Sequence, residues 1–142
     1  MANYIGLTTV LIRDYDEAIS WYTQFLGFEI KEDKEICNGN PLTTRRWVVV
    51  GPKSFDDKQL TTGILLSKAD GFDQLENIGK QTCEGVAFYL FTDDFNRDYE
   101  KFKETGVWFN YEPRIEIQGL VCDFKDLYDN IWQLIERVPK FA

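Results

Sequence analysis

The sequence predicts an α+β protein in which two βαβββ modules form a curved, mixed eight-stranded sheet around a cleft, with the helices on its outer face. The prediction rests on an internal repeat. A strand-forming run at residues 7–12 leads directly into a helix, and a second run at 86–92 does the same. Three further strands are expected after each helix. Since one module is too small to bury a side of its own sheet, the two modules are expected to pair.

Both helices have start and stop signals at the same spacing. Asp14 precedes the first helix and has a glutamate three residues later, a pattern that satisfies exposed amides at a helix start. Either Asp93 or Asp94 holds the corresponding position in the second half. Gly27 and Gly106 follow the two helices and can adopt the left-handed backbone conformation that ends a helix. The shared register indicates a duplicated unit.

The other strands are predicted from runs of β-branched and aromatic residues between turn signals. These runs lie at 28–34, 45–50 and 61–67 in the first half and at 107–109, 114–124 and 130–136 in the second, with turns at 38–41 and 125–129. Residues 1–142 are therefore expected to form one domain. Its parts are module 1 at about 1–68, a short helix or irregular crossing segment at about 69–82, and module 2 at about 83–142.

Composition limits the function classes. The 24 acidic and 16 basic residues give a formal charge of −8, and no basic run is longer than Arg45-Arg46, so nucleic-acid binding is not expected. The N-terminal residues lack a secretory signal pattern, and no apolar stretch approaches the ~20 residues of a membrane helix. A soluble, cytoplasmic protein without a membrane partner is expected. Cys37, Cys83 and Cys122 are an odd number at wide spacing, which favours small buried residues over disulfides or a metal site.

The chain contains no histidine. This excludes a Ser-His-Asp or Cys-His catalytic set, because both need an imidazole as the base. It also excludes zinc or non-haem iron sites that use histidine ligands. Any function must therefore use carboxylates, hydroxyls, aromatic rings, amides and thiols.

Four stretches give the chain a family resemblance. They are TTVLIRDYDEAISWYTQFLGFEI at 8–30, RWVVVGP at 46–52, FTDDFNRDYEKFKETGVWF at 91–109 and FKDLYDNIWQLIE at 124–136. Together with the duplicated order, they resemble the vicinal-oxygen-chelate superfamily, which includes glyoxalase I, extradiol dioxygenases, and fosfomycin and bleomycin resistance proteins. The resemblance covers nearly the whole chain and implies the fold. It implies less about activity, since this fold hosts isomerases, lyases, oxygenases and pure binders.

The resemblance also locates where a metal would be held. Metal-dependent members of the family have a histidine early in each module's first strand and a glutamate in each module's last strand. By position, these ligands fall at Leu7, at Val86 or Ala87, near Leu65 or Leu66, and at Gln133. One neutral amide among aliphatic residues cannot offset the dehydration of a divalent ion. The resemblance therefore implies the fold without its usual metal centre and without a cofactor.

A ligand pocket is predicted from the alternation of side chains across strands. For the strand at 86–92 two registers stay open, with either Phe88 and Leu90 or Tyr89 and Phe91 facing inward. Gln133 is either a pocket residue or a buried amide bonded to backbone. The candidate pocket residues are Leu7, Thr9, Leu11, Trp47, Phe88, Leu90, Tyr111, Arg114 and Gln133, and Glu116 is also within reach. No catalytic residue is assigned.

Three functions are compatible with these features. The leading hypothesis is a metal-independent small-molecule binding protein of the glyoxalase/bleomycin-resistance type, a homodimer whose ligand is partly aromatic or apolar and is held in the cleft between the modules. The acidic surface favours a cationic ligand. The alternative is a lyase or isomerase of the glyoxalase family with an atypical active site. A scaffold without a ligand is the third, and no sequence feature selects it.

Overall fold

The computed structural model describes residues 3–36, 45–53 and 61–137. The predicted turn at 38–41, Cys37 and most of the loop after the third strand lie outside these residues. The chain divides into two compact units, Met1–Ile78 and Gly79–Ala142, and each is described by itself. The boundary falls inside the segment that was predicted to link the modules.

The first unit has one four-stranded sheet and two helices. Its elements are β1 (Leu7–Ile12), α1 (Tyr15–Phe25), β2 (Glu29–Ile36), β3 (Arg45–Gly51), β4 (Gly63–Lys68) and α2 (Phe72–Glu76). The strand order is β1-β4-β3-β2, in which β1 and β4 are parallel and the other neighbours are antiparallel.

The second unit has the same topology. Its elements are β5 (Val86–Phe91), α3 (Phe95–Thr105), β6 (Arg114–Glu116), β7 (Gly119–Lys125) and β8 (Ile131–Glu136). The strand order is β5-β8-β7-β6, and β5 and β8 are the parallel pair. The predicted α+β fold with two βαβββ modules is confirmed, and its eight strands form two mixed four-stranded sheets.

Each long helix packs on one face of its unit's sheet because its apolar side chains are buried there. In α1, Ala18 and Tyr22 are fully buried, together with Val10 and Ile12 of β1. In α3, Phe102 contacts Phe124 of β7 with ring centroids 5.8 Å apart. The opposite face of each sheet then carries the alternate residues of every strand.

Both long helices begin at the aspartates that the sequence predicted, and the structure decides between the two candidates for α3. Asp14 accepts a hydrogen bond from the backbone N–H of Glu17, and Asp94 accepts the equivalent bond from Arg97. Asp94, rather than Asp93, is therefore the N-cap of α3. Asp93 forms a salt bridge with Arg97 instead.

One predicted strand is wrong. Residues 107–109 do not form a strand, and only Phe109 makes a single β-bridge, to Phe124. The predicted strand at 114–124 is two strands, β6 and β7, because a turn at residues 117–118 reverses the chain. The outgoing strand of the second unit is therefore β6, which has three residues.

None of the three helices in the described part of the chain has both the length and the apolarity needed to cross a bilayer.

Candidate functional site

The second unit's sheet has two chemically different faces. Trp132 of β8 stacks with Phe124, whose ring contacts α3, so both side chains lie on the face that α3 covers. Because side chains alternate along a strand, Gln133 and Asp123 lie on the opposite face, and the two are direct partners in the β7–β8 register. We call this opposite face the α3-distal face.

A continuous polar network crosses the α3-distal face. Nε of Arg114 lies 2.6 Å from Oε1 of Glu116, and the Gln118 amide nitrogen donates to the other Glu116 oxygen at 2.9 Å. The same nitrogen donates to Oε1 of Gln133 at 3.2 Å, and Nε2 of Gln133 donates to Asp123 at 2.9 Å. Strands β6, β7 and β8 and one turn thus supply five linked side chains.

The two carboxylates fix the orientation of both amides. An ionised carboxylate only accepts hydrogen bonds, so each glutamine must turn its NH2 group toward its acidic neighbour. The Gln133 oxygen is then left to accept from Gln118, which it does. Gln133 is only 4% exposed, and its hydrogen-bonding groups are paired inside this network rather than with backbone.

Tyr111 lies at the Arg114 end of the network. The Arg114 guanidinium carbon is 4.0 Å from the centroid of the Tyr111 ring, close enough for a cation–π interaction. The Tyr111 hydroxyl is buried and has no hydrogen-bond partner of acceptable geometry among the described residues. Burial and then the neighbouring Asp123 carboxylate raise the pKa of Tyr111. The phenol therefore stays protonated at neutral pH.

Two exposed aromatic side chains flank the network. Tyr89 pairs with Gln133 in the β5–β8 register and Phe91 pairs with Ile135, which places both rings on the α3-distal face. Tyr89 is 56% exposed and Phe91 is 53% exposed. Large apolar surfaces beside satisfied polar groups are typical of places where a ligand is held.

The register of β5 places two candidate residues on the face that α3 covers. Phe88 pairs with Trp132, and their ring centroids are 4.5 Å apart on the face that α3 covers. Leu90 has the same parity and pairs with Leu134. A register shift between Val86 and Phe88 sets this parity. Of the two registers that the sequence left open, the structure has the one that turns Tyr89 and Phe91 away from α3.

The remaining candidates share one face of the first unit's sheet. Arg46 forms a salt bridge with Asp16 of α1, so the alternate residue Trp47 lies on the α1-distal face. Thr9 pairs with Leu65, and Leu65 pairs with Val49 on that same face. The residues of β1 with this parity are Leu7, Thr9 and Leu11.

One polar contact on this face was not predicted from the sequence. The Trp47 indole donates to Glu32 at 2.9 Å, and this bond, followed by the bond from Lys34, lowers the pKa of Glu32. Glu32 lies in a charged stretch of β2 that gives no signal of its own. The register of β2 against β3 brings it beside Trp47.

The structure also decides what Arg45 and Arg46 contact. Arg46 bridges Asp33 at 2.7 Å and Asp16 at 2.9 Å, and these two bonds raise its pKa. Arg45 forms a salt bridge with Asp70. Both arginines have acidic partners within the chain.

The residues at the family's metal-ligand positions do not fit a metal ion. Leu7 and Leu65 are aliphatic, and the Gln133 oxygen already accepts from Gln118. Within residues 3–36, 45–53 and 61–137, no group of three or more Cys, Asp or Glu side chains is placed to hold a metal. A divalent ion would need several charged or polar ligands at these positions.

Comparisons with known proteins agree with this architecture. Residues 4–134 match the sequence model of the Glyoxalase/Bleomycin resistance protein/Dioxygenase superfamily, so the chain belongs to that superfamily. An uncharacterized protein of Shewanella frigidimarina (strain NCIMB 400) is 36% identical over 92% of this chain and 91% of its own length. YurT of Bacillus subtilis (strain 168) is 30% identical over 94% of this chain and 98% of its own length.

Solved structures with the same fold include two that cover nearly the whole chain. UcmS2 superposes with a TM-score of 0.75 at 26% identity, covering 95% of this chain and 98% of UcmS2. TnmS3, an antibiotic binding protein from Streptomyces sp. CB03234, superposes with a TM-score of 0.73 at 23% identity, covering 96% and 98%.

Proposed function

We propose that this protein binds a small organic molecule without a metal ion, on the α3-distal face of its second unit. The observation that carries the proposal is the pair of exposed rings, Tyr89 and Phe91, beside the polar network around the buried Gln133. Covering an exposed aromatic ring with an apolar partner removes it from water and lowers the free energy. Fixed polar groups beside the ring then orient that partner.

The polar groups favour a ligand that is aromatic and cationic. The exposed Tyr89 ring attracts both aromatic planes and cations, and the Phe91 ring already has a cation over it, the Arg137 guanidinium 5.0 Å from its centroid. Asp123 on this face is partly exposed and has no salt bridge among the described residues, and the chain carries a formal charge of −8. Both features attract positive charge and repel anions.

The titratable groups near the network support binding more than catalysis. The pKa of Tyr111 is raised by burial, and burial raises the pKa of Cys122 to about 11. A hydroxyl and a thiol that stay protonated at neutral pH are poor general bases and poor nucleophiles. TnmS3, with the same fold, is an antibiotic binding protein, which supports a binding role for a superfamily member.

The proposal is tested with three planar probes of different charge: proflavine as a cation, 7-methoxycoumarin as a neutral compound and 1-naphthoate as an anion. Proflavine is expected to bind most tightly and to raise the thermal unfolding temperature by an amount that grows with the logarithm of its concentration above Kd. Tyr89→Ala should weaken proflavine binding by about tenfold, since a stacked ring contributes on the order of 1 kcal/mol or more. Isothermal titration calorimetry measures both effects.

Phe72→Ala is the matched control, because Phe72 of α2 is 73% exposed but lies in the first unit. It should bind proflavine like the unaltered protein. Equal losses in Tyr89→Ala and Phe72→Ala, or no binding of any probe, would refute this proposal. Turnover of a glutathione adduct of a 2-oxoaldehyde would instead support the lyase or isomerase alternative.

The homodimer stays an expectation drawn from the family resemblance. Light scattering coupled to size-exclusion chromatography measures the mass directly, with a single chain at 16.6 kDa as the reference.

A further inference from the structure

The second unit has another concave surface, on the side of α3 rather than on the α3-distal face. It is a groove of about 460 Å³ between Tyr99 and Lys103 of α3 and the segment 107–112 that follows the helix. This volume is within the range of about 300–1,000 Å³ that small-molecule pockets occupy. We call it the α3 groove.

The end of α3 holds the walls of the groove in place. Gly106 has φ 106° and ends the helix with its N–H bonded to the Lys103 carbonyl, and the Val107 N–H bonds to the Phe102 carbonyl. The chain then runs beside β7, where the Asn110 N–H donates to the Asp123 carbonyl. Backbone bonds at both ends therefore preform the segment that faces α3.

Aromatic rings form the floor and one wall of the groove. Tyr99 and Phe109 pack with ring centroids 4.6 Å apart, and the Tyr99 pKa is raised chiefly by burial. Trp108 is 70% exposed. For comparison, two other tryptophans of the chain use their indole N–H groups inside the protein: Trp47 donates to Glu32 and Trp132 donates to Asp126. The Trp108 indole has no hydrogen-bond partner within the described ranges.

Two opposite charges in the groove have no salt-bridge partner in the described part of the chain. The Lys103 ammonium lies 5.0 Å from the centroid of the Tyr99 ring, over its face. Glu112 lines the same groove and is exposed. In contrast, Arg46, Arg97 and Arg114 each have a carboxylate partner.

We infer that the α3 groove binds a planar aromatic compound that carries both an ammonium and a carboxylate. The aromatic plane would stack on the Trp108 ring, the carboxylate would accept from Lys103, and the ammonium would bind Glu112. A ligand with one charge would satisfy only one of these two groups. A zwitterion satisfies both, and as a neutral species overall it is not repelled by the charge of −8. This inference does not depend on the site that contains Tyr89.

The experiment uses three indole compounds with the same ring: tryptophan as the zwitterion, tryptamine as the cation and indole-3-acetate as the anion. The readout is the indole N–H signal of Trp108 in protein labelled with ¹⁵N at its four tryptophans, assigned with Trp108→Phe. Tryptophan is expected to shift the Trp108 signal with an affinity at least fivefold tighter than either singly charged compound. The Trp132 signal, from an indole bonded to Asp126, should not move.

Two variants test the roles of the charges. Lys103→Gln should weaken tryptophan binding by about tenfold and should not weaken tryptamine binding, since tryptamine has no carboxylate for Lys103 to bind. Glu112→Gln should weaken tryptophan by a similar factor and leave indole-3-acetate unaffected. Lys101→Gln is the control, because Lys101 is an exposed α3 residue that does not line the groove.

Three results would overturn the inference: no shift of the Trp108 signal, tryptophan no tighter than tryptamine or indole-3-acetate, or equal losses in Lys103→Gln and Lys101→Gln. Tyr89→Ala should leave tryptophan binding at Trp108 unchanged. The two sites can therefore fail independently.

Discussion

Tyr111 is the residue at which burial and hydrogen bonding are in conflict. Its hydroxyl is removed from water without gaining a partner of good geometry in the described structure. Leaving such a group unpaired costs about 1–3 kcal/mol, whereas replacing it with an apolar group of the same shape is close to neutral or stabilising. The ring itself retains its contact with Arg114 in either case.

We therefore expect Tyr111→Phe to raise the free energy of unfolding by about 1 kcal/mol at neutral pH. Urea denaturation measures this change. Tyr89→Phe removes an exposed hydroxyl and should have no effect, which makes it the matched control. A loss of stability in Tyr111→Phe would show that the hydroxyl is well paired after all.

The same variant should change the dependence of stability on alkaline pH. The pKa of Tyr111 is higher in the folded state than the value of about 10 in the unfolded chain, so the unfolded state releases its proton first. This ionisation therefore leaves the free energy of unfolding unchanged below about pH 10 and lowers it as pH rises toward the folded-state pKa. Tyr111→Phe should make the decline shallower, and the remaining decline is attributed in part to Cys122. Unfolding at a series of pH values above 8 checks this.

At the scale of elements, the crossing segment is partly anchored. It contains α2 and also Gly79, where the second unit begins. Gly71 and Gly79 have nearly the same backbone angle, φ 84° and 80°. A Cβ at Gly71 would meet nothing within 4 Å, whereas a Cβ at Gly79 would overlap the Tyr128 carbonyl oxygen. The backbone of the segment therefore packs directly against the β7–β8 turn at Gly79.

This pair gives a controlled comparison. Gly71→Ala should lower the free energy of unfolding by about 1–3 kcal/mol, because φ 84° with ψ 167° is a backbone conformation that is essentially restricted to glycine. Gly79→Ala also has a positive φ and must in addition displace the Tyr128 backbone, so we expect a loss at least about 2 kcal/mol larger than that of Gly71→Ala. Urea denaturation of both variants measures the difference. Equal decreases in the free energy of unfolding would mean that the Tyr128 backbone can move away from the added methyl group without destabilising the fold.

The β7–β8 turn is itself held by one buried carboxylate. Asp126 is 5% exposed and accepts from the backbone N–H groups of Tyr128 and Asn130 and from the Asn130 amide and the Trp132 indole. Four donors surround an anion that would otherwise be costly to bury. This turn sets the register of β7 against β8, and that register places Asp123 opposite Gln133.

At the scale of the whole molecule, the absence of histidine from the sequence and the lack of a fitting ligand set among the described residues lead to one prediction about metals. Protein dialysed against a chelator should keep its unfolding temperature and its affinity for proflavine, because no step of the proposed binding uses a metal ion. Metal analysis and thermal unfolding with and without EDTA measure this. Stoichiometric zinc, nickel or iron that survives dialysis would contradict it.

The sequence by itself determined the repeated βαβββ order, the N-cap of α1, the glycine that ends α3 and the superfamily. These depend on local signals such as Asp14 and Gly106, and on motif spacing along the chain. The prediction failed at residues 107–109, where an apolar run follows the helix as it does in the first half. Local propensity indicated a strand at these residues. In the structure they line the groove beside α3 and make only a single β-bridge, at Phe109.

Only the tertiary structure decided which side chains share a surface. The sequence selected Gln133, Arg114 and Tyr111, but not their links through Gln118 and Asp123, because those contacts join residues of different strands. It also left the facing of Phe88 and Tyr89 open. A shift of one residue in the register of β5 moves every side chain of the strand to the opposite face of the sheet. The pairing of β5 with β8, rather than any property of β5 alone, decides which side chains lie on which face.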